Sequence, residues 1–121
     1  MDKQTKKQSP IFSKTFDFLN WLLAHVETFP KSQRFRLAKR IEDSAFLFHD
    51  LLIRAVRNQR KKKALLYQAD VELDKLRTYF RLARKAGYTN PDQYRHVAGL
   101  LTELGKLVGG WLASKEASSS G

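Results

Sequence analysis

The chain has 121 residues and a mass of 14.0 kDa, the size of a single domain. It carries 23 Lys and Arg residues against 12 Asp and Glu, which gives a formal net charge of +11 at pH 7. It has no cysteine, which excludes a disulfide framework, a thiolate metal site and a cysteine nucleophile. We expect a cytoplasmic protein, because that composition suits a reducing compartment and no apolar run is long enough to cross a membrane.

Both ends of the chain are polar. We predict a flexible basic arm over residues 1–11 and a flexible tail over residues 115–121. Between them, residues 12–114 place apolar side chains at helical spacing, and no segment alternates convincingly with a period of two. The sequence therefore predicts one all-α domain.

Caps and stops set the first two predicted helices. Helix 1 is predicted from about Phe12 to Phe29, because Pro30 cannot continue it. Its inward stripe is predicted to be Phe16, Leu19, Leu23 and Val26. Helix 2 is predicted from Ser32, a favourable N-cap, to about Asn58. Its inward stripe is predicted to be Ala38, Ile41, Ala45, Phe48, Leu52 and Ala55.

The last two helices have clearer boundaries. Helix 3 is predicted from about Ala64 to Ala86, because the preceding residues are polar and Gly87 is a favourable C-terminal stop. Its inward stripe is predicted to be Leu65, Ala69, Leu73, Leu76, Phe80 and Ala83. Helix 4 begins after Asn90 as the cap, with Pro91 at the first helical position. Its inward stripe is predicted to be Tyr94, Val97, Leu101, Leu104, Val108 and Trp111.

Four helices of about 20 residues joined by short connections predict an antiparallel up-down-up-down four-helix bundle. Helices 1 and 2 carry more apolar residues than one inward face requires. We therefore expect the bundle to self-associate, and the predicted interface residues are Phe18, Trp21, Phe46 and Val56. Scattered surface apolar residues without a partner are the alternative interpretation.

No grouping of residues in the sequence indicates catalysis. His25, His49 and His96 are far apart in the chain, outside any metal-binding motif, and each is expected at the surface or at an edge. Gly105 and Gly109 lie four residues apart in helix 4 and predict the close approach of another backbone, either within the bundle or between subunits. We expect a protein that is not an enzyme and that needs neither a cofactor nor a metal.

The basic residues carry the functional prediction. The predicted phosphate-binding residues are Arg36, Arg40, Arg54, Arg57, Arg60, Lys61, Lys62, Lys63, Arg77, Arg81, Arg84 and Lys85. If helices 2 and 3 are antiparallel neighbours, these residues make the bundle basic at both ends. Phosphate binding of this kind is insensitive to base sequence and weakens with salt. For any one of these residues, a solvated outer helix face is the alternative.

Three short segments share their order and spacing with one known family. They are Phe29–Lys31, the helix 3 segment Leu66–Asp70 with Leu73, Leu76, Arg77, Tyr79 and Arg81 behind it, and the helix 4 segment Glu103–Lys106 with Gly109 and Trp111. Together, within residues 16–113, they resemble the accessory variability determinant (Avd) family of diversity-generating retroelements.

The resemblance implies a homopentamer of basic four-helix bundles that has no catalytic activity. It implies binding to a reverse transcriptase and to template RNA or cDNA, in support of mutagenic cDNA synthesis. Arg77 and Arg81 fall where the family also shows arginine, so the resemblance implies that they contact polymerase or nucleic acid. A wider relative is the four-helix-bundle family encoded in ribosomal RNA intervening sequences. It leaves open an oligomeric structural or RNA-binding protein without a reverse transcriptase partner.

Overall fold

The computed structural model of the protein describes residues 3–114, with side chains from residue 10 onward. The helices are α1 (Lys3–Val26), α2 (Leu37–Arg57), α3 (Lys62–Ala86) and α4 (Pro91–Ala113). Single 3₁₀ turns at Lys31–Gln33 and Gln59–Lys61 precede α2 and α3. There is no strand within residues 3–114, so the all-α prediction is confirmed for this part of the chain. The predicted tail, residues 115–121, lies outside the described residues.

The helices close into a bundle in which each consecutive pair is in contact and α1 also packs against α4. Two polar contacts show the relative direction of these two helices. Lys14 of α1 pairs with Glu103 of α4 at 3.3 Å, and further along α1 the His25 side chain meets Thr89, just before α4 begins. Position increases along α1 as it decreases along α4, so the two run antiparallel. The predicted four-helix bundle is confirmed.

The predicted core of the last three helices is also confirmed. Every residue of the predicted stripes in α2, α3 and α4 is buried, except that Tyr94 is half-buried. At the start of α4, Asn90 Oδ1 accepts from the Gln93 amide at 2.8 Å, and Gln93 Oε1 accepts from the Asn90 amide at 2.9 Å. Gly87 ends α3 with φ +83°, a conformation that side chains disfavour. Local sequence signals therefore agree with the packing here.

The first helix differs from the prediction in its start and in its inward face. α1 begins at Lys3 and contains Pro10, so residues 3–11 of the predicted arm are helical. Phe16 is 68% exposed, although it was predicted to be in the core, whereas Phe18 is fully buried. The prediction of Phe18 at an oligomer interface is wrong, because its side chain packs in the core of its own chain.

Polar residues in the inward stripe explain that difference. The stripe contains Thr15, whose hydroxyl donates to the Ile11 carbonyl at 2.6 Å, and His25, whose Nε2 lies 2.8 Å from the Thr89 hydroxyl oxygen. These hydrogen bonds offset the cost of burying the two side chains. The buried residues of α1 are Ile11, Thr15, Phe18, Leu22, His25 and Val26, and Phe29 is buried just after the helix ends. Of the predicted stripe, Val26 is buried as predicted and Leu19 is half-buried, whereas Phe16 and Leu23 are exposed. Apolar periodicity alone does not detect Thr15 and His25, and the prediction of His25 at the surface is wrong.

The start of α2 also differs from the prediction. Ser32 lies within the 3₁₀ turn, and α2 begins only at Leu37. The Arg36 amide donates to the Gln33 carbonyl at 3.1 Å, and the Arg34 amide donates to the Lys31 carbonyl at 3.1 Å. These bonds hold residues 34–36 as an ordered turn between the 3₁₀ segment and α2.

The imidazole of His25 lies among aromatic rings. It stacks on Trp21 with ring centroids 4.6 Å apart, and it also packs against Phe29 at 5.3 Å and Phe80 at 6.4 Å. Because burial disfavours the charged form, the pKa of His25 lies below its ordinary value of 6.5. The folded protein therefore holds a neutral imidazole at neutral pH.

We expect His25 to make stability fall as the pH is lowered. The unfolded chain takes up a proton near pH 6.5, and the folded chain takes it up only at lower pH. The contribution of His25 to the free energy of unfolding is therefore fully present above pH 6.5. It is lost progressively as the pH falls from there through the lower pKa of the folded protein. Denaturant titrations at several pH values should show a shallower pH dependence for His25→Gln. The exposed His96 offers the control, and an equal change in His96→Gln and His25→Gln would contradict the assignment.

Candidate nucleic-acid interface

Exposed cations cluster at the turn between α2 and α3. Asn58 Oδ1 accepts from the Lys61 amide at 3.2 Å, which fixes the short 3₁₀ turn that joins the two helices. The last turns of α2 and the first turn of α3 bring further basic residues to the same end of the bundle. We call this set the turn patch, and its members are Arg54, Arg57, Arg60, Lys61 and Lys63.

Lys62 does not belong to the turn patch, although it was predicted to bind phosphate. Its side chain is fully buried, and its Nζ lies 5.8 Å from the centroid of the Trp111 ring, within cation–π range. Neither Lys62 Nζ nor Trp111 Nε1 has a hydrogen-bond partner. The sequence did contain a signal for this burial, since Lys62 lies seven residues before Ala69 and in phase with the inward stripe of α3.

A second basic group lies on α3, on the side that faces α4. Arg77 and Arg81 line a groove of about 240 Å³ together with Tyr94, Leu101 and other residues of α4. We call it the α3–α4 groove. Arg84 and Lys85 follow as exposed residues in the last turn of α3. Arg81, Arg84 and Lys85 lie toward the end of α3 opposite the turn patch, and Arg77 lies just past the middle of the helix. Basic residues therefore lie toward both ends of the bundle, as predicted.

Arg77 is held by contacts within the chain. Its Nη1 donates to Asp74 Oδ1 at 2.7 Å, and its Nη2 lies 3.5 Å from the Leu101 carbonyl oxygen. A Cβ on Gly105 would come within 2.8 Å of the same Nη2, so the guanidinium occupies the space that this glycine leaves. Arg77 therefore braces α3 against α4, and an incoming phosphate would compete with Asp74 for it.

The glycines of α4 are only partly as predicted. Gly105 does permit a close approach, but the approaching group is the side chain of Arg77 rather than another backbone. A Cβ on Gly109 would meet nothing within 4 Å, so no close contact forms there within the chain, and a contact there between subunits stays a prediction. Spacing along one helix cannot reveal which neighbour fills the space beside a glycine.

The third basic group lies at the start of α2. Arg36 and Arg40 line a groove of about 610 Å³ with Tyr79 and Leu82 of α3, and we call it the α2–α3 groove. The sequence predicted that Arg36 and Arg40 lie at the same end of the bundle as the arginines of helix 3, and the structure places them there. The two sets nevertheless line different grooves, because Arg77 and Arg81 are on the side of α3 that faces α4. Among the residues predicted to bind nucleic acid, Arg77 alone forms an ion pair within residues 10–114.

Two further properties concern other classes of site. No cluster of three or more His, Asp or Glu side chains in the described part of the chain could hold a metal ion. None of the helices, over the residues described, has the length and apolar character that a membrane span requires.

The fold and its surface define a class, that of small basic four-helix bundles with arginine-lined grooves. The bAvd-like family model matches residues 10–115, and the chain therefore belongs to the bAvd-like family. The match confirms the resemblance to the Avd family, which is a family of non-catalytic accessory proteins. No curated protein matches the chain.

We expect alanine at Gly105 and at Gly109 to have different effects. Replacing a glycine inside a helix with alanine stabilises it by roughly 0.5–1 kcal/mol. Gly109→Ala should give that gain, because the space beside it is open. Gly105→Ala should give less, because Arg77 must move away from the Leu101 carbonyl. Denaturant unfolding would measure both, and equal gains in the two variants would contradict the role of Arg77 as a brace.

Proposed function

We propose that the protein is a non-catalytic accessory subunit of a diversity-generating retroelement. In this proposal it binds the reverse transcriptase and the template RNA or cDNA, and it supports mutagenic cDNA synthesis. Membership of the bAvd-like family supports the accessory role. The observation that carries the nucleic-acid part is a set of exposed arginines and lysines that no carboxylate within residues 10–114 neutralises.

Ion pairs within the described residues separate the free cations from the neutralised ones. The Lys and Arg side chains paired with carboxylates are Lys14 with Glu103, Lys39 with Asp43, Lys75 with Glu72, Arg77 with Asp74, and Arg95 with Asp92. The turn patch, Arg81 and Arg84 take no part in such pairs. Together with the net charge of +11, these exposed cations favour association with phosphate, because each contact releases condensed counterions.

The two ends of the bundle provide two separate basic surfaces. From Lys63 in the turn patch to Arg84 near the end of α3, the helix rises by about 30 Å. One copy therefore has room to contact polymerase at one end while nucleic acid lies at the other. This arrangement supports an accessory role in which the protein bridges an enzyme and its template.

We expect Arg81→Gln/Arg84→Gln to weaken RNA binding and to reduce its dependence on salt. If both arginines contact phosphate, the slope of log K against log salt should become shallower by about 1.4 to 1.8. Lys14→Gln/Arg95→Gln is the matched control, since it removes the same charge from residues that carboxylates already neutralise. Filter binding across a range of salt concentrations measures both variants.

Equal losses in the two variants would show that net charge acts without a defined surface. A wild-type protein that binds no RNA at low salt would contradict the nucleic-acid part of the proposed function. Co-purification with a reverse transcriptase tests the other part. RNA binding without that partner would favour the alternative, a protein of the type encoded in ribosomal RNA intervening sequences.

We also propose that the chain assembles as a homopentamer, with the subunit number taken from the Avd family. Exposed apolar side chains on the outer sides of α1 and α2 support self-association. They form two pairs, Phe16 with Leu23 and Phe46 with Ile53, and the members of each pair lie seven residues apart on one side of their helix. α1 and α2 are in contact in the bundle, and we propose that these two pairs act as one surface, which we call the apolar face.

The predicted interface residues differ in how far they are exposed. Phe46 is 43% exposed and lies in the apolar face. Trp21 and Val56 are half-buried, and Trp21 packs against His25 and His96 of its own chain. We therefore propose Phe46 and Phe16 as the principal contacts between copies.

We expect Phe16→Ser/Phe46→Ser to reduce the assembly to smaller species without unfolding the bundle. Neither side chain is buried in the core, with Phe16 68% and Phe46 43% exposed, so the loss of this exposed apolar area should fall on the contact between copies. Light scattering after size-exclusion chromatography measures the mass, and circular dichroism verifies the helical content. Tyr67→Ser removes another exposed aromatic residue, on α3, and should leave the mass unchanged. An unchanged mass in the double variant would contradict the apolar face as the interface.

A further inference from the structure

Phe35 is the most exposed large apolar side chain in the described part of the chain, with 80% of its area accessible. It lies in the turn before α2, between Arg34 and Arg36. The amides of both arginines donate to carbonyls of the 3₁₀ segment, so the turn that carries Phe35 is held in place. Such an exposed ring loses hydrophobic stabilisation unless another molecule covers it.

The ring stands at one side of the α2–α3 groove. Leu37, Tyr79 and Leu82 supply apolar lining, while Arg36 and Arg40 supply positive charge. The only carboxylate in the lining is that of Asp43, and it is paired with Lys39 at 3.1 Å. The groove thus combines an exposed aromatic surface with two arginines that have no carboxylate partner within residues 10–114.

Charge decides which occupant this groove suits. A second copy that met this surface with its own would bring Arg34, Arg36 and Arg40 of both copies together, and like charges would repel. A polyanion gains from the same arginines. Duplex nucleic acid keeps its bases stacked on each other, so it would leave the ring of Phe35 uncovered. An unpaired base offers both a flat face for the ring and adjacent phosphates for the arginines.

We propose that the α2–α3 groove binds single-stranded nucleic acid, with an unpaired base stacked on Phe35 and flanking phosphates paired with Arg36 and Arg40. This assignment rests on the proposed function, because it specifies where and in what form the template or its copy is held. Stacking on a ring does not require the 2′-hydroxyl, so RNA and DNA single strands of one sequence should both bind here.

The test compares Phe35→Ala, Phe35→Leu and wild type in fluorescence anisotropy with labelled oligonucleotides of about 12 nucleotides. The probes are single-stranded RNA, single-stranded DNA and a duplex of the same sequence. Phe35→Ala should weaken single-strand binding roughly 5- to 150-fold, while duplex affinity and the salt slope stay unchanged. Phe35→Leu should weaken it similarly, because leucine keeps an apolar side chain but has no aromatic face.

Two further variants complete the design. Tyr67→Ala is the matched control, since it removes an exposed aromatic residue outside the α2–α3 groove and should change nothing. Arg36→Gln/Arg40→Gln should make the single-strand salt slope shallower by about 1.4. This second variant tests the same groove through its charge, so the proposal stays testable if Phe35→Ala folds poorly.

The outcomes separate this proposal from the proposed function. If wild type binds no nucleic acid, the nucleic-acid part of the proposed function fails. If wild type binds but Phe35→Ala has no effect, only the stacking site is wrong. If Phe35→Leu binds single strands with the affinity of wild type, the contact needs only an apolar side chain and base stacking is wrong. An acidic peptide with an apolar residue would then suit the groove better. If Phe35→Ala changes the mass that light scattering measures, the stacking site would be overturned in favour of a contact between copies at Phe35.

Discussion

The packing of α2 against α3 determines where the turn patch and the α2–α3 groove lie. Near the middle of this pair, the buried carboxylate of Glu72 accepts from the Ser44 hydroxyl at 2.6 Å and from Lys75 Nζ at 2.9 Å. Sliding of one helix along the other would separate the Ser44 hydroxyl from Glu72 and leave the buried carboxylate with Lys75 of its own helix as its one remaining partner, which is costly. The register fixed in this way leaves the turn patch at one end, and it aligns the start of α2 with the last turns of α3 at the other.

Much of the fold could be predicted from the sequence because local and tertiary preferences agree. The cap at Asn90, the stop at Gly87 and the stripes of the last three helices are all read correctly from spacing and turn chemistry. α1 could not be predicted in the same way. Its inward face includes Thr15 and His25, whose burial depends on hydrogen bonds that apolar periodicity does not detect.

The sequence could predict which residues are basic, but not how the fold groups them into separate surfaces. Charge identifies the basic groups, but it cannot show that Arg77 is tied to Asp74 and to α4, or that Lys62 lies under Trp111. Charge also cannot show that the arginines near one end of the bundle line two different grooves, the α2–α3 groove and the α3–α4 groove. These properties depend on which helix faces each side chain, and therefore on tertiary packing. Helical periodicity cannot predict the exposure of Phe35, because this residue lies in a turn between two helical segments.

The two tryptophans give the molecule a built-in pair of optical reporters. Trp111 lies beside the ammonium group of Lys62 at the start of α3. Trp21 stacks on the imidazole of His25 near the other end of the bundle. Emission from the two indoles thus samples separate environments in a single unlabelled chain. Loosening at one end can therefore be distinguished spectroscopically from loosening at the other, once either indole is replaced by phenylalanine.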